Sequence, residues 1–149
     1  MDSPTQNPFL SYREAAVVGA SPVRMVILLY EQAMEDLRRA RAALRSGDIQ
    51  KRTQQINHAI LVLGYLQTSL DREQGGKVAE DLQRFYSQVR ASLMQAQFRQ
   101  SESLIEQQIR DLFEVREAWC EVERSAKPAA PSAGSYDRID GSSSSEWKA

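Results

Sequence analysis

Between Ser21 and Arg124 the apolar side chains recur at helical spacing through four successive stretches, and nowhere do they alternate with the period of a strand. That pattern leaves helix packed on helix as the only way to bury them. Each stretch carries its own punctuation. Ser21 stands where an N-cap belongs and Pro22 at the first helical position, where its missing N–H costs nothing; the helix should run to about Arg45, before Ser46-Gly47. Asp48 can cap a second helix reaching about Leu70, and Gln74-Gly75-Gly76 breaks the chain before a third, from about Lys77 to Phe98. Ser101 caps a fourth, ending near Arg124.

Helices of about 20 to 24 residues are about 30 to 36 Å long at 1.5 Å per residue, and links this short force sequence neighbours to pack antiparallel. The expected fold is all-α, an antiparallel up-down four-helix bundle over residues 21–124, with a short N-terminal arm over 1–20 and a disordered tail over 125–149. Its core stripes are Val23, Val26, Ile27, Tyr30, Met34, Leu37 and Leu44 on the first helix, and Ile49, Ile56, Ala59, Ile60, Leu63, Leu66 and Leu70 on the second. The third supplies Val78, Leu82, Phe85, Val89 and Leu93, and the fourth Ile105, Ile109, Leu112, Val115, Trp119 and Val122.

Two clusters are left over: Met25, Leu28 and Leu29 on the first helix, and Leu61, Val62 and Tyr65 on the second. They point away from the stripes of their helices; a wide core stripe would equally well absorb Leu29 or Val62, but Leu61 and Tyr65 are harder to place in it. With the turn near residue 47, antiparallel packing brings Leu29 to the level of Tyr65 and Ala33 to that of Leu61, so both clusters should lie at one end as a surplus apolar groove. At about 25 cal/mol per Å² of apolar area, several such side chains left in water forgo a few kcal/mol of stabilisation. Binding of a helical partner or self-dimerisation would each recover it. The arm has apolar side chains of its own, Phe9, Leu10, Tyr12, Val17 and Val18, and its tether lets it fold back over the groove at high effective concentration. The tail is rich in Ser, Pro, Ala and Gly without a periodic face, which makes disorder its default reading.

Composition excludes several other classes of function. A net charge of −1 gives no global field toward nucleic acid or acidic lipid, and Arg38, Arg39, Arg41 and Arg45 follow acidic residues with no aromatic interleaving, the pattern of a solvated face. One cysteine, Cys120, excludes an intramolecular disulfide and a multi-Cys zinc site; one histidine, His58, excludes a His-rich cluster. His58 has no acidic or thiol neighbour at metal or triad spacing, and Cys120 beside Trp119 reads as a small apolar filler. Gly75-Gly76 is not followed by a P-loop Lys-Ser/Thr, so no phosphate cradle is expected. No enzyme constellation, metal site or cofactor site is expected. The N-terminus is not a secretory signal and no stretch approaches a membrane span, so the expected location is the cytoplasm.

Several motifs carry a family resemblance. Tyr12-Arg13-Glu14-Ala15-Ala16-Val17 resembles the Tyr-x4-Val arm of the flagellar secretion chaperone family FliS. Ala20-Ser21-Pro22 with Leu28-Leu29-Tyr30-Glu31-Gln32-Ala33 is similar to that family's Ala-Ser-Pro and Leu-Tyr-Asp-Gly-Ala stretch. The run from Ser69 through Asp71, Gly75-Gly76 and Ala79 to Leu82 and Phe85-Tyr86 is the most specific match, and Ala118-Trp119 stands where the family has its late Ala-Trp. The chain departs from the family pattern at Asp81, near Gln97 and at Gln32, and the tail has no counterpart in it.

The resemblance implies a cytoplasmic chaperone that binds the disordered C-terminal segment of flagellin, prevents its premature polymerisation and assists its delivery to the type III export gate. Tyr12 and Val17, at the matching arm positions, become candidate partner-binding residues. Met25, Leu28, Leu29, Leu61, Val62 and Tyr65 are candidates from helical geometry. The expected state is a monomer or weak homodimer, without nucleic acid or membrane insertion; the alternative function is a structural helical module that dimerises through the surplus surface.

Overall fold

The computed structural model describes residues 21–126. The readings made for residues 1–20, including Tyr12 and Val17, and for residues 127–149 lie outside the described residues. Four helices follow one another: α1 (Pro22–Ser46), α2 (Ile49–Thr68), α3 (Arg72–Arg99) and α4 (Glu102–Ala126). There is no strand among the described residues.

Local chemistry sets the helix ends. Ser21 Oγ accepts the Arg24 N–H at 3.0 Å, capping α1 with Pro22 in the first turn. Gly47, at φ 78°, ends it in the left-handed conformation, and Asp48 Oδ1 at once accepts the Lys51 N–H at 3.0 Å to start α2. That tight turn makes α1 and α2 antiparallel. Ser101 Oγ caps α4 through the Leu104 N–H at 3.1 Å.

The start of α3 differs from expectation. Asp71 accepts the Gln74 N–H at 3.1 Å and begins the helix a turn early, and the expected break is concentrated at Gly76, whose φ of 54° and ψ of −128° kink α3. At Gly75 a Cβ would stand 2.8 Å from the Ala79 Cβ, so the second turn closes only on glycine. α2 stops at Thr68 rather than Leu70, and Ser125 and Ala126, expected in the tail, complete α4.

Sequence neighbours pack side by side and α4 closes the ring against α1. The interface between α1 and α2 is the most extensive, and that between α3 and α4 the least. Tyr30, Leu37, Ile56, Leu63, Leu66, Leu93, Ile105 and Leu112 fill the core. Tyr86, absent from the expected stripe, is buried opposite Tyr30; their rings lie 6.0 Å apart and the Tyr30 hydroxyl donates to that of Tyr86 at 2.8 Å. Burial pushes the Tyr30 hydroxyl pKa up to about 12 and raises that of Tyr86 as well.

Ile49, Val78 and Val122, assigned to the core stripes, are exposed. Each lies near a helix end or kink, where too few neighbours surround it. A ladder of ion pairs joins α1 to α4: Arg24 with Glu123 (Nε to Oε2 2.9 Å), Glu31 with Arg116 (2.9 Å from Nε), and Arg45 with Glu102. Part of the basic face read as merely solvated thus faces acids on α4, and the Arg45 guanidinium holds the Glu102 carboxyl below the usual range. Solvent screens such pairs, so their main effect is on register rather than stability.

A candidate helix-binding groove between α2 and α3

The two surplus clusters do not form one groove. Leu29 is 1% exposed and Val62 0%, and both belong to the core. Their assignment as surplus surface is corrected: the tight Gly47-Asp48 turn draws α1 and α2 together along their length, and these side chains fill the space between the helices. Met25 packs half-buried against the core, and Leu28 is half-buried on α1. Behind this interface Asp36, almost fully buried, contacts His58 Nδ1 and accepts from Gln32 Nε2 at 2.8 Å. The fold therefore supplies His58 with an acidic partner that sequence spacing did not reveal. Two ring and carboxylate groups make no metal site, and no cluster of three or more His, Cys, Asp or Glu side chains able to hold one occurs among the described residues.

Leu61 and Tyr65 line an open groove of about 730 Å³ on the side of α2 that meets α3, although Tyr65 is half-buried and also packs against the core. Leu61 is 59% exposed. One helical turn separates it from Tyr65, with Gly64 between them and Ile60 at the groove wall. Gly64 has no side chain to fill the groove, and the Arg90 guanidinium carbon lies 4.0 Å from where its Cβ would stand.

The groove floor is polar. Gln67 Nε2 donates to Ser87 Oγ at 2.8 Å and to the Gln83 carbonyl at 3.2 Å, while Gln67 Oε1 accepts from Arg90 Nη1 at 2.6 Å. This amide therefore bridges α2 to two turns of α3. Arg90 Nε and Gln83 Oε1 are buried without a hydrogen-bond partner. Arg72 and Arg90 both line the groove, no Asp or Glu does, and neither arginine forms an ion pair among the described residues. Beyond Arg90, Met94 and Phe98 continue at i+4 and i+8 up the same flank of α3, exposed by 58% and 82%. The sequence reading left out both residues. Their spacing from Val89 and Leu93 was the available signal, since it turns them away from the core.

A second recess, of about 340 Å³, opens at the end of the bundle where α1 and α3 begin and α2 and α4 finish. Val26, Leu70, Val78, Leu82 and Trp119 line it. The described surface thus combines a long flank with apolar lips and a small apolar recess at one end. A helix laid along the flank could bury its apolar face. No nucleophile and base are brought together in the groove.

Comparison with known proteins gives this arrangement a context. The family model described as "Flagellar protein FliS" matches residues 5–126. The flagellar secretion chaperone FliSB of Pseudomonas aeruginosa is 35% identical over 106 residues, covering 71% of this chain and 84% of the relative. The flagellar secretion chaperone FliS of Salmonella typhimurium is 33% identical over 110 residues, 73% of this chain and 82% of the relative. That of Vibrio cholerae is 25% identical over 109 residues, again 73% of this chain and 80% of the relative. With its whole helical bundle inside the match, the chain belongs to the FliS family of flagellar proteins.

Proposed function

We propose that this protein is a flagellar export chaperone that binds the C-terminal segment of flagellin, prevents its premature polymerisation and assists its delivery to the flagellar type III export apparatus. The observation that carries this reading is the match to a family of secretion chaperones over all four helices, joined to an open groove on α2 and α3 with Leu61 and Tyr65 on its wall. A flagellin end that coils with its neighbours in a filament must present an apolar helical face. The groove offers that face a substitute partner, one subunit at a time. A segment that folds as it binds gives up ordering entropy, so its affinity per unit area stays modest and release at the export gate needs no nucleotide.

The site of action is the cytoplasm, where flagellin is made; no helix among the described residues is long and apolar enough to cross a membrane. The working form is a monomer or weak homodimer. Tyr12 and Val17, which lie outside the described residues, are proposed as partner contacts on the strength of the arm motif they match.

Isothermal titration with the C-terminal segment of the host's flagellin tests the reading, using the full-length chain and Tyr65→Ala. Saturable one-to-one binding that is weakened in the variant supports it. Exposed Leu61, Met94 and Phe98 favour one competing reading, a helical module that dimerises through this flank. A stable mass of twice 16.9 kDa without client binding would establish that module instead.

A further inference from the structure

Among the described residues, every long-range ion pair lies on the seam between α1 and α4 or between Asp36 and His58. The α2–α3 groove has the opposite character. Two arginines line it with no carboxylate, and the guanidinium of Arg90 is held in place by a single hydrogen bond, from Nη1 to Gln67 Oε1 at 2.6 Å. Its Nε–H is buried and has no acceptor. That donor is shielded, so a partner would meet the guanidinium through its remaining Nη–H groups. Arginine presents its N–H donors as a planar fork that matches a carboxylate.

We propose that Arg90 is the specificity-determining residue of the groove, and that it pairs with an Asp or Glu side chain on the otherwise apolar face of the bound helical segment. The inference rests on the chaperone reading above and adds to it a requirement on the client's chemistry. Arg90 lines the open groove together with Ser87 and Gln83, and exposed Met94 and Phe98 follow it along α3 beyond the groove's lining. A segment running through the groove therefore meets it with a side chain. Gln67 fixes one edge of the guanidinium, and Gly64 leaves room over it for the approaching carboxylate. A bound helix lying against Ile60, Leu61 and Tyr65 would shield the pair from water, which strengthens a charge-assisted hydrogen bond relative to the same pair at an exposed surface. Arg72, at the start of α3, adds a second positive charge and no competing negative one.

The test is a double-mutant cycle in solution. The probes are the C-terminal flagellin segment of the same organism and versions in which each Asp or Glu is changed in turn to Asn or Gln; the proteins are the wild-type full chain, Arg90→Met and Arg90→Lys. The expected result is that Arg90→Met binds the native segment about tenfold more weakly, with a flatter dependence on salt. One neutralised segment should bind the wild type more weakly by a similar factor and show no further loss with Arg90→Met. Arg90→Lys keeps the charge without the fork and is expected to recover only part of the affinity. Circular dichroism checks that the variants keep their helicity, and the segment substitutions test the pairing independently of it. Equal binding by wild type and Arg90→Met, or losses that simply add for every segment, would overturn the pairing while leaving the chaperone reading in place. No binding of the native segment to the wild type would overturn both.

Discussion

α2 has two flanks that differ in almost every physical respect. Toward α1 its side chains are closed over: Val62 and Leu29 are in the core, and the carboxylate of Asp36 has both His58 and Gln32 as partners. Toward α3 it exposes Leu61, has a glycine at position 64 and faces an arginine whose Nε lacks an acceptor. The first flank is complete within the chain. The second stays open. One helix is thus closed over on one side and, in the proposed reading, serves recognition on the other, and residues adjacent in sequence, Leu61 and Val62, fall on opposite sides of that division.

Substitutions on the two flanks should therefore separate stability from binding. The largest effect is expected for Leu29→Ala, which opens a cavity between α1 and α2 and lowers unfolding free energy by about 2 to 5 kcal/mol in a urea titration. Leu61→Ala should change it by less than about 0.5 kcal/mol, and comparable losses would erase the contrast. The closed interior should also respond to alkali. Burial raises the hydroxyl pKa values of Tyr30 and Tyr86, so the folded state favours their neutral forms. Stability is fully present below pH 10, the unfolded value, and falls as the pH rises through about 12, by roughly 2 to 3 kcal/mol for Tyr30 alone. Tyr30→Phe should flatten that decline in thermal melts between pH 9 and 12.

On the open flank Tyr65→Ala is expected to weaken binding of the flagellin segment about tenfold with little change in helicity. Unfolding instead would place Tyr65 with the core. The smallest effect belongs to the seam of α1 and α4, where Glu31→Gln removes the partner of Arg116 across the seam and leaves Glu117 on its own helix. A loss of at most about 1 kcal/mol, shrinking further in high salt, is expected with client binding unchanged.

Much of the bundle was legible in the sequence because caps and turns are local chemistry. Ser21-Pro22, Gly47-Asp48 and Ser101 act within a few residues of themselves, and each marks a helix end in the structure. Asp71 was harder to read, since the double glycine after it suggested a loop where a capped and kinked helical turn forms. The candidate site was legible only in part. Periodicity identifies which side chains leave the core stripe but not which neighbouring helix closes over them, and that is decided by packing distance. Leu29 and Val62 met a close neighbour in the other helix, whereas Leu61 and Tyr65 faced α3 across Gly64. Arg90 and the Asp36–His58 contact carry no signal in spacing, because their partners stand on other helices.

The most direct test of the division is to titrate the C-terminal flagellin segment into Leu61→Asp and to record the thermal melt of the same sample. The two-flank account predicts a melt close to that of the wild type and binding lost or weakened by more than an order of magnitude, since the new charge meets the client's apolar face. A variant that keeps its melt and binds the segment as tightly as the wild type would contradict the placement of the client on the α2–α3 flank.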